Sequence, residues 1–62
     1  MSPLKEAIKA LKKSGYHLDR HGANHDVYKD GLGHRITLKR HDFNDNDLKY
    51  IIKEIKQYSD NK

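Results

Sequence analysis

In the central part of the chain the polarity of the side chains alternates with a period of two residues, and the links between these alternating runs are very short. Three such runs, at residues 16–21, 25–29 and 34–39, are separated by the sequences GAN and DGLG. Parallel strands need a crossover of about a dozen residues or more, whereas glycine-bearing links of this length are typical of hairpins. The sequence therefore predicts a three-stranded antiparallel meander.

The segment before the strands has the spacing of an amphipathic helix. Ser2 is a suitable N-cap, Pro3 fits the first turn, and Gly15 follows the end, where glycine readily adopts the left-handed conformation. The apolar side chains that recur at helical spacing are Leu4, Ala7, Ile8 and Leu11. We therefore predict a first helix that ends just before Gly15.

The segment after the strands predicts a second helix. Asn44 or Asp45 can cap it, and Asp47 lies in its first turn, where a negative charge is favourable. Its apolar face consists of Leu48, Ile51, Ile52, Ile55 and Tyr58. Residues 59–62 are predicted to form a frayed tail.

These elements predict one domain, residues 1–62, with an α+β fold of order α-β-β-β-α. Each helix has a single apolar stripe, and each strand has one clearly apolar face. Both helices are therefore expected on one face of the three-stranded antiparallel sheet, in a two-layer sandwich.

Alternation along the strands predicts which side chains face the helices. On the second strand we place Val27 toward the helices, with His25 partly shielded beside it, so that Asp26 and Tyr28 face the open side. An exposed tyrosine among cations suits base stacking and phosphate binding, although Tyr28 can equally well simply cover the sheet. On the third strand the outward side chains are expected to be Arg35, Thr37 and Lys39, and the inward ones Ile36 and Leu38.

The length and composition limit the kinds of site that the protein can build. A chain of 62 residues buries only about 60% of its unfolded surface, so a deep enclosed pocket is not expected. The absence of cysteine excludes disulfides and thiolate zinc sites. No apolar run approaches the ~20 residues of a membrane span, and the first residues lack the apolar block of a signal peptide, so we expect a cytoplasmic protein.

Positive charge is concentrated in the first two-thirds of the chain. Residues 1–41 contain nine Lys and Arg against four Asp and Glu, whereas residues 42–62 contain four against five. A basic surface suits a polyanion such as nucleic acid, although an ordinary lysine-rich surface gives the same balance. A small DNA-binding protein is disfavoured because no two adjacent helices predict a helix-turn-helix.

Two kinds of chemistry are disfavoured by where the polar residues fall. His17 and His21 would lie about 13 Å apart along one strand, and His21 and His25 have no third metal ligand placed by spacing. The three serines are accounted for by a helix start, a helix end and the tail, which leaves no nucleophile for a Ser–His–Asp triad. No metal and no cofactor are expected.

Histidine suits the remaining possibility, which is proton transfer to and from RNA. Its unperturbed pKa lies near neutral, so it serves as a general base or acid. RNA supplies its own nucleophile, the 2′-hydroxyl, so a shallow site needs only a proton acceptor, cations for the phosphate and a proton donor for the leaving oxygen. A non-catalytic RNA-binding module of the same fold is the alternative, because both would share the basic surface.

The order of several short motifs resembles the HicA family of toxins from type II toxin–antitoxin systems. The motifs are Gly15–Tyr16, Gly22, Asn24–His25, Tyr28, Arg40–His41 and Ile51–Ile52, within about residues 4–57. The resemblance implies a fold similar to a double-stranded-RNA-binding domain and a metal-independent ribonuclease that cleaves mRNA. It also implies a HicB-type antitoxin partner, which masks the active site in a hetero-oligomer. The family's catalytic histidine matches His25.

Other residues are predicted to assist His25. His25 follows the tight turn that contains Gly22 and Asn24, which can lift the imidazole to the edge of the sheet. His41, at the end of the third strand, is the candidate second proton carrier, with a structural role at the corner as the alternative. The RNA-binding set is predicted to be Tyr28, Lys29, Arg35, Lys39, Arg40 and His41, of which the lysines and arginines contact phosphate.

Overall fold

The computed structural model describes residues 2–60 and confirms the predicted order of elements. The elements are α1 (Pro3–Lys13), β1 (His17–His21), β2 (His25–Lys29), β3 (Arg35–Lys39) and α2 (Asp45–Asp60). The strands form one antiparallel sheet in the order β1-β2-β3. The protein is therefore an α+β sandwich in which one small core joins both helices to one face of the sheet.

Helix α1 begins and ends as the sequence predicts. The Ser2 side chain accepts a hydrogen bond from the Lys5 backbone N–H at 3.2 Å, which satisfies one of the unpaired donors at the helix start. Gly15 has φ +92°, and the Tyr16 N–H donates to the Leu11 carbonyl at 2.9 Å. This left-handed ending turns the chain directly from the helix into β1.

Helix α2 begins with a reciprocal cap. The Asn44 side chain accepts from the backbone N–H groups of Asn46 and Asp47 at 2.9 and 3.2 Å, while the Asp47 carboxylate accepts from the Asn44 N–H at 2.9 Å. The helix then continues through Asp60, so the first two residues of the predicted tail are helical. The rest of that tail, residues 61–62, lies outside the described residues.

The sheet register contains one irregularity, in β1. Leu18 pairs with Tyr28 and Arg20 pairs with Val27, so Asp19 is an extra residue between two consecutive pairs. The pairing of β2 with β3 is regular from His25 to Lys29. The bulge at Asp19 is a feature that alternation in the sequence does not reveal.

The core shows that the predicted faces of β2 were wrong. Tyr28 is 4% exposed and packs in the core, and Asp26 is also buried, whereas Val27 is half-buried on the opposite face with His25. The larger tyrosine ring fills the space under the helices. The Arg40 guanidinium lies close to the inward Asp26. The faces predicted for β3 are confirmed, since Ile36 and Leu38 are fully buried.

The turn between β2 and β3 is fixed by its own side chains. Asp30 accepts hydrogen bonds from the backbone N–H groups of Leu32 and His34 at 3.0 and 2.9 Å, and its other oxygen lies 2.8 Å from His34 Nδ1. Partial desolvation opposes these bonds, but together they lower the pKa of Asp30. The His34 ring also stacks on Tyr58, with ring centroids 4.7 Å apart, so His34 serves the structure of this turn.

Candidate active site

The sheet face opposite the core presents three rows of side chains, which we call the open face. The register places His17, Lys29 and Arg35 in one row, Arg20, Val27 and Thr37 in the next, and His25 with Lys39 in the third. Side chains on directly paired residues have Cβ atoms about 4.5–5.5 Å apart. His25 pairs directly with Lys39, so the two side chains are neighbours. The imidazole of His25 is exposed, and the prediction that it is partly shielded was wrong.

The tight turn before His25 depends on Gly22. The Gly22 N–H donates to the His25 carbonyl at 2.9 Å, and a Cβ atom placed on Gly22 would lie only 2.6 Å from that same oxygen. A Cβ atom does not approach a backbone oxygen this closely, so no residue with a side chain fits without opening the turn. Glycine at this position therefore fixes the start of β2, where His25 lies.

Arg40, the first residue after β3, stabilises this turn. Its guanidinium donates to the carbonyl oxygens of Gly22 and Ala23, and its backbone N–H donates to the Asn24 carbonyl at 3.2 Å. The same guanidinium contacts the imidazole of His21. Arg40 thus binds all three residues of the link between β1 and β2.

Asp26 completes this cluster from the buried side. Its Oδ1 lies 3.7 Å from Arg40 Nε and 2.8 Å from His21 Nδ1. Neither Asp26 Oδ1 nor Arg40 Nε makes a hydrogen bond of regular geometry within residues 2–60, so the contact between these two groups is an ion pair. A buried carboxylate is tolerated here because the guanidinium lies beside it.

His25 opens into a shallow groove between the sheet and the start of α2, which we call the His25 groove. Its volume is about 260 Å³. Lys39 Nζ lies 3.3 Å from Asp47 Oδ2 across it. The hydrogen bond from the Asn44 N–H and the nearby Lys39 ammonium together lower the pKa of Asp47. The residues that line the groove are His25, Thr37, Lys39, Phe43, Asp47, Tyr50 and Ile51.

The five histidines are distributed between structural and exposed positions. His34 belongs to the turn before β3, and His21 belongs to the cluster with Asp26, on the face opposite to His25. His21 is nevertheless exposed, and the three exposed histidines outside this cluster are His17, His25 and His41. His25 is the one of these three that lines the His25 groove.

A larger groove of about 550 Å³ lies between the end of α1, the turn before β3 and the second half of α2. It contains none of the residues predicted for catalysis or RNA binding. Its lining includes Tyr16, Leu32, His34, Ile52 and Tyr58. Of the two grooves, only the smaller one contains His25 and Lys39.

The remaining predicted site residues occupy different environments. Arg35 is exposed on the open face, and Lys29 lies on the same face with its Nζ 3.5 Å from Asp19 Oδ1. Arg40 is engaged with the turn, and His41 follows it in the connection to α2. Tyr28 offers no ring to a ligand because it is buried.

Sequence reasoning missed three members of the His25 groove, which are Phe43, Asp47 and Tyr50. Tyr50 is 68% exposed, and it lies outside the predicted apolar face of α2. Asp47 was assigned only to the helix start, whereas it also pairs with Lys39. An aromatic residue off the apolar stripe of an amphipathic helix was the available signal for Tyr50.

The fold and the placement of His25 define a small α+β domain with a shallow, histidine-bearing groove beside a basic sheet face. Residues 4–58 match the family model described as HicA toxin of bacterial toxin-antitoxin. The match covers most of the chain, so the protein belongs to the HicA toxin family, as the sequence motifs predicted. Membership makes it the toxin component of a toxin–antitoxin pair, with an antitoxin as its partner.

No curated protein and no solved structure matches the chain. Within residues 2–60, no helix is long and apolar enough to cross a membrane.

Proposed function

We propose that this toxin is a ribonuclease that cleaves mRNA, with His25 as its proton-transfer residue. The observation that carries the proposal is the position of His25: its imidazole is exposed, lines a groove and neighbours the Lys39 side chain. A turn that only glycine fits holds the start of this strand. An imidazole at the held end of a strand and beside a cation suits general acid–base catalysis on a phosphodiester.

In the proposed reaction the RNA provides the nucleophile. His25 takes the proton of a 2′-hydroxyl, and the 2′-oxygen attacks the adjacent phosphorus. The P–O5′ bond then breaks, which leaves a 2′,3′-cyclic phosphate on one product. The departing 5′-oxygen takes up a proton and becomes a 5′-hydroxyl on the other. No metal or cofactor enters this scheme.

A second proton carrier would protonate the departing oxygen, and His41 remains the candidate. The backbone N–H of Arg40, the residue before His41, donates to the Asn24 carbonyl at 3.2 Å. His41 therefore lies beside the same turn that holds His25. Its side chain is exposed.

The cations of the open face would bind the phosphates of the substrate. Lys29 and Arg35 share one row, and Lys39 lies in the row of His25. These contacts attract a polyanion irrespective of its sequence. Arg40 would contribute mainly by holding the turn, because its guanidinium already binds the turn carbonyls.

The proposed partner is a HicB-like antitoxin that covers the His25 groove. A shallow groove on a basic face is accessible to a protein surface of opposite charge. The proposed location is the cytoplasm, where mRNA and a newly made antitoxin are both present.

The proposal is tested by cleavage of a single-stranded RNA by purified protein in the presence of EDTA. We expect His25→Ala to lose at least ~10²-fold in cleavage rate, as is typical for a general acid–base group, while RNA affinity and thermal stability persist. His17→Ala is the matched control, because His17 is also exposed on the open face but lies in the row farthest from His25. This control should cleave RNA at the wild-type rate.

Two results would contradict the proposal. Full cleavage by His25→Ala would show that another group transfers the proton. RNA binding by the wild-type protein without any cleavage would instead identify a non-catalytic RNA-binding module.

A further inference from the structure

Tyr50 is a large aromatic residue that the core does not use. The chain has four tyrosines, all within the described residues. Tyr16 and Tyr28 are 5% and 4% exposed, and Tyr58 stacks on His34, whereas Tyr50 is 68% exposed. A single exposed apolar side chain is common on protein surfaces, so the position of this ring is what indicates a role.

The location of Tyr50 indicates which ligand. Its ring lines the His25 groove together with His25, Lys39 and the half-buried Phe43. Lys39 is held over this groove by Asp47, with a distance of 3.3 Å between Nζ and Oδ2. A proton-transfer group, a cation and an exposed aromatic ring are thus gathered in one depression of about 260 Å³.

We propose that Tyr50 stacks on the nucleobase next to the phosphate that is cleaved, and that the substrate is therefore unpaired RNA. This inference rests on the proposed function of His25. A base inside a duplex has both faces covered by its neighbours, so the ring of Tyr50 is accessible only to a base that is unstacked. Stacking on a tyrosine is tolerant of base identity, because every base has an aromatic face.

Tyr50 would act by aligning the substrate and not by transferring a proton. A stacked base fixes the nucleotide on one side of its phosphate and so places the 2′-hydroxyl in reach of His25. Loss of the ring would then raise KM for single-stranded RNA. Loss of the hydroxyl alone, in Tyr50→Phe, would leave binding intact.

The binding test uses the full chain carrying His25→Ala, so that RNA stays intact during titration. The probe is a single-stranded oligoribonucleotide that contains 2-aminopurine, whose fluorescence is quenched when it stacks on an aromatic ring. We expect Tyr50→Ala to weaken binding about 10- to 100-fold and to remove the quenching, and Tyr50→Phe to retain both. Leu32→Ala is the matched control, since Leu32 is 69% exposed on a turn away from the His25 groove, and it should behave as the parent protein.

Duplex RNA provides the second arm of the test. Affinity for a blunt duplex should be the same with and without the Tyr50 ring. Unchanged binding and quenching in Tyr50→Ala, or an equal loss for single-stranded and duplex RNA, would overturn the inference. A loss of antitoxin binding without any change in RNA binding would identify Tyr50 as a protein contact instead.

These outcomes are separable from the test of the proposed function. If the wild-type protein cleaves RNA and Tyr50→Ala binds it normally, only the stacking role is wrong. If the protein binds RNA without cleaving it, the fluorescence titration still decides the role of Tyr50. If it binds no RNA at all, both proposals are wrong.

Discussion

Gly22 is the residue on which the placement of His25 depends most directly. We expect Gly22→Ala to destabilise the protein by about 1–3 kcal/mol, because its Cβ atom would lie 2.6 Å from the His25 carbonyl oxygen and the turn would have to open. The start of β2 would shift with the turn, so cleavage should fall as well. Urea denaturation followed by circular dichroism, together with a cleavage assay, measures both effects.

Gly31→Ala is the matched control for this substitution. Gly31 also lies in a hairpin turn, but a Cβ atom placed there meets nothing within 4 Å. We expect its stability to change by less than about 1 kcal/mol in either direction and its cleavage to be unchanged. Equal losses in the two variants would show that His25 does not depend on the close approach at Gly22.

At the level of single residues, the sequence predicted the turn before His25 but not the residues that surround it. His25 follows a glycine turn, and this is visible in the sequence. The inward direction of Asp26 is not visible, because it depends on Arg40 fourteen residues later, which lies 3.7 Å from the buried carboxylate. Alternation alone placed Tyr28 outward, since it cannot tell which of two apolar residues on one strand fills the core.

The β2–β3 pair is the element that carries the proposed phosphate contacts. We expect Arg35→Ala to reduce the salt dependence of RNA affinity, d log K/d log[salt], by about 0.7 in magnitude for a single strand. Arg35 is exposed, and within residues 2–60 no acidic side chain forms an ion pair with it, so its full charge is available to a phosphate. Affinity measured at several salt concentrations gives this slope.

Lys9→Ala is the control for the charge lost with Arg35. Lys9 is an exposed cation of α1, away from the open face. Its removal should leave the slope unchanged. A slope that falls equally in both variants would mean that RNA binds through the net charge of the protein and not through the open face.

The helices were more predictable than the sheet, and the reason is the range of the interactions that define them. Ser2, Gly15 and the Asn44 cap act within a few residues, so the ends that they set could be predicted from the sequence. The bulge at Asp19 depends on how β1 matches β2. The pairing of Lys39 with Asp47 depends on the packing of α2 against β3. Contacts of this kind are fixed only when the elements come together.

At the scale of the whole molecule, the core within residues 2–60 has seven buried apolar side chains, and a domain of this length is marginally stable. We expect a HicB-like antitoxin to raise the melting temperature by about 10 °C or more. A ligand at 100 times its Kd adds about 2.7 kcal/mol of stability, and 1 kcal/mol shifts the melting temperature of a domain this small by about 4–8 °C. Thermal unfolding of the toxin alone and with its antitoxin measures the shift.

The same mixtures should show whether the antitoxin covers the His25 groove. RNA cleavage should stop at one equivalent of antitoxin, and an unrelated protein of equal negative charge should neither stop it nor raise the melting temperature. Stabilisation without any loss of cleavage would place the antitoxin elsewhere on the toxin.

The extra residue in β1 has a consequence for how the protein behaves at high concentration. β1 is an outer strand, all five of its side chains are exposed, and a straight strand of this kind invites further strands to add to it and aggregate. The bulge at Asp19 interrupts the regular spacing of backbone donors and acceptors along the edge of β1. It also exposes the Asp19 carboxylate, whose Oδ1 lies 3.5 Å from Lys29 Nζ. One additional residue thus disfavours the pairing of a further strand with the β1 edge of the sheet, without the help of a proline.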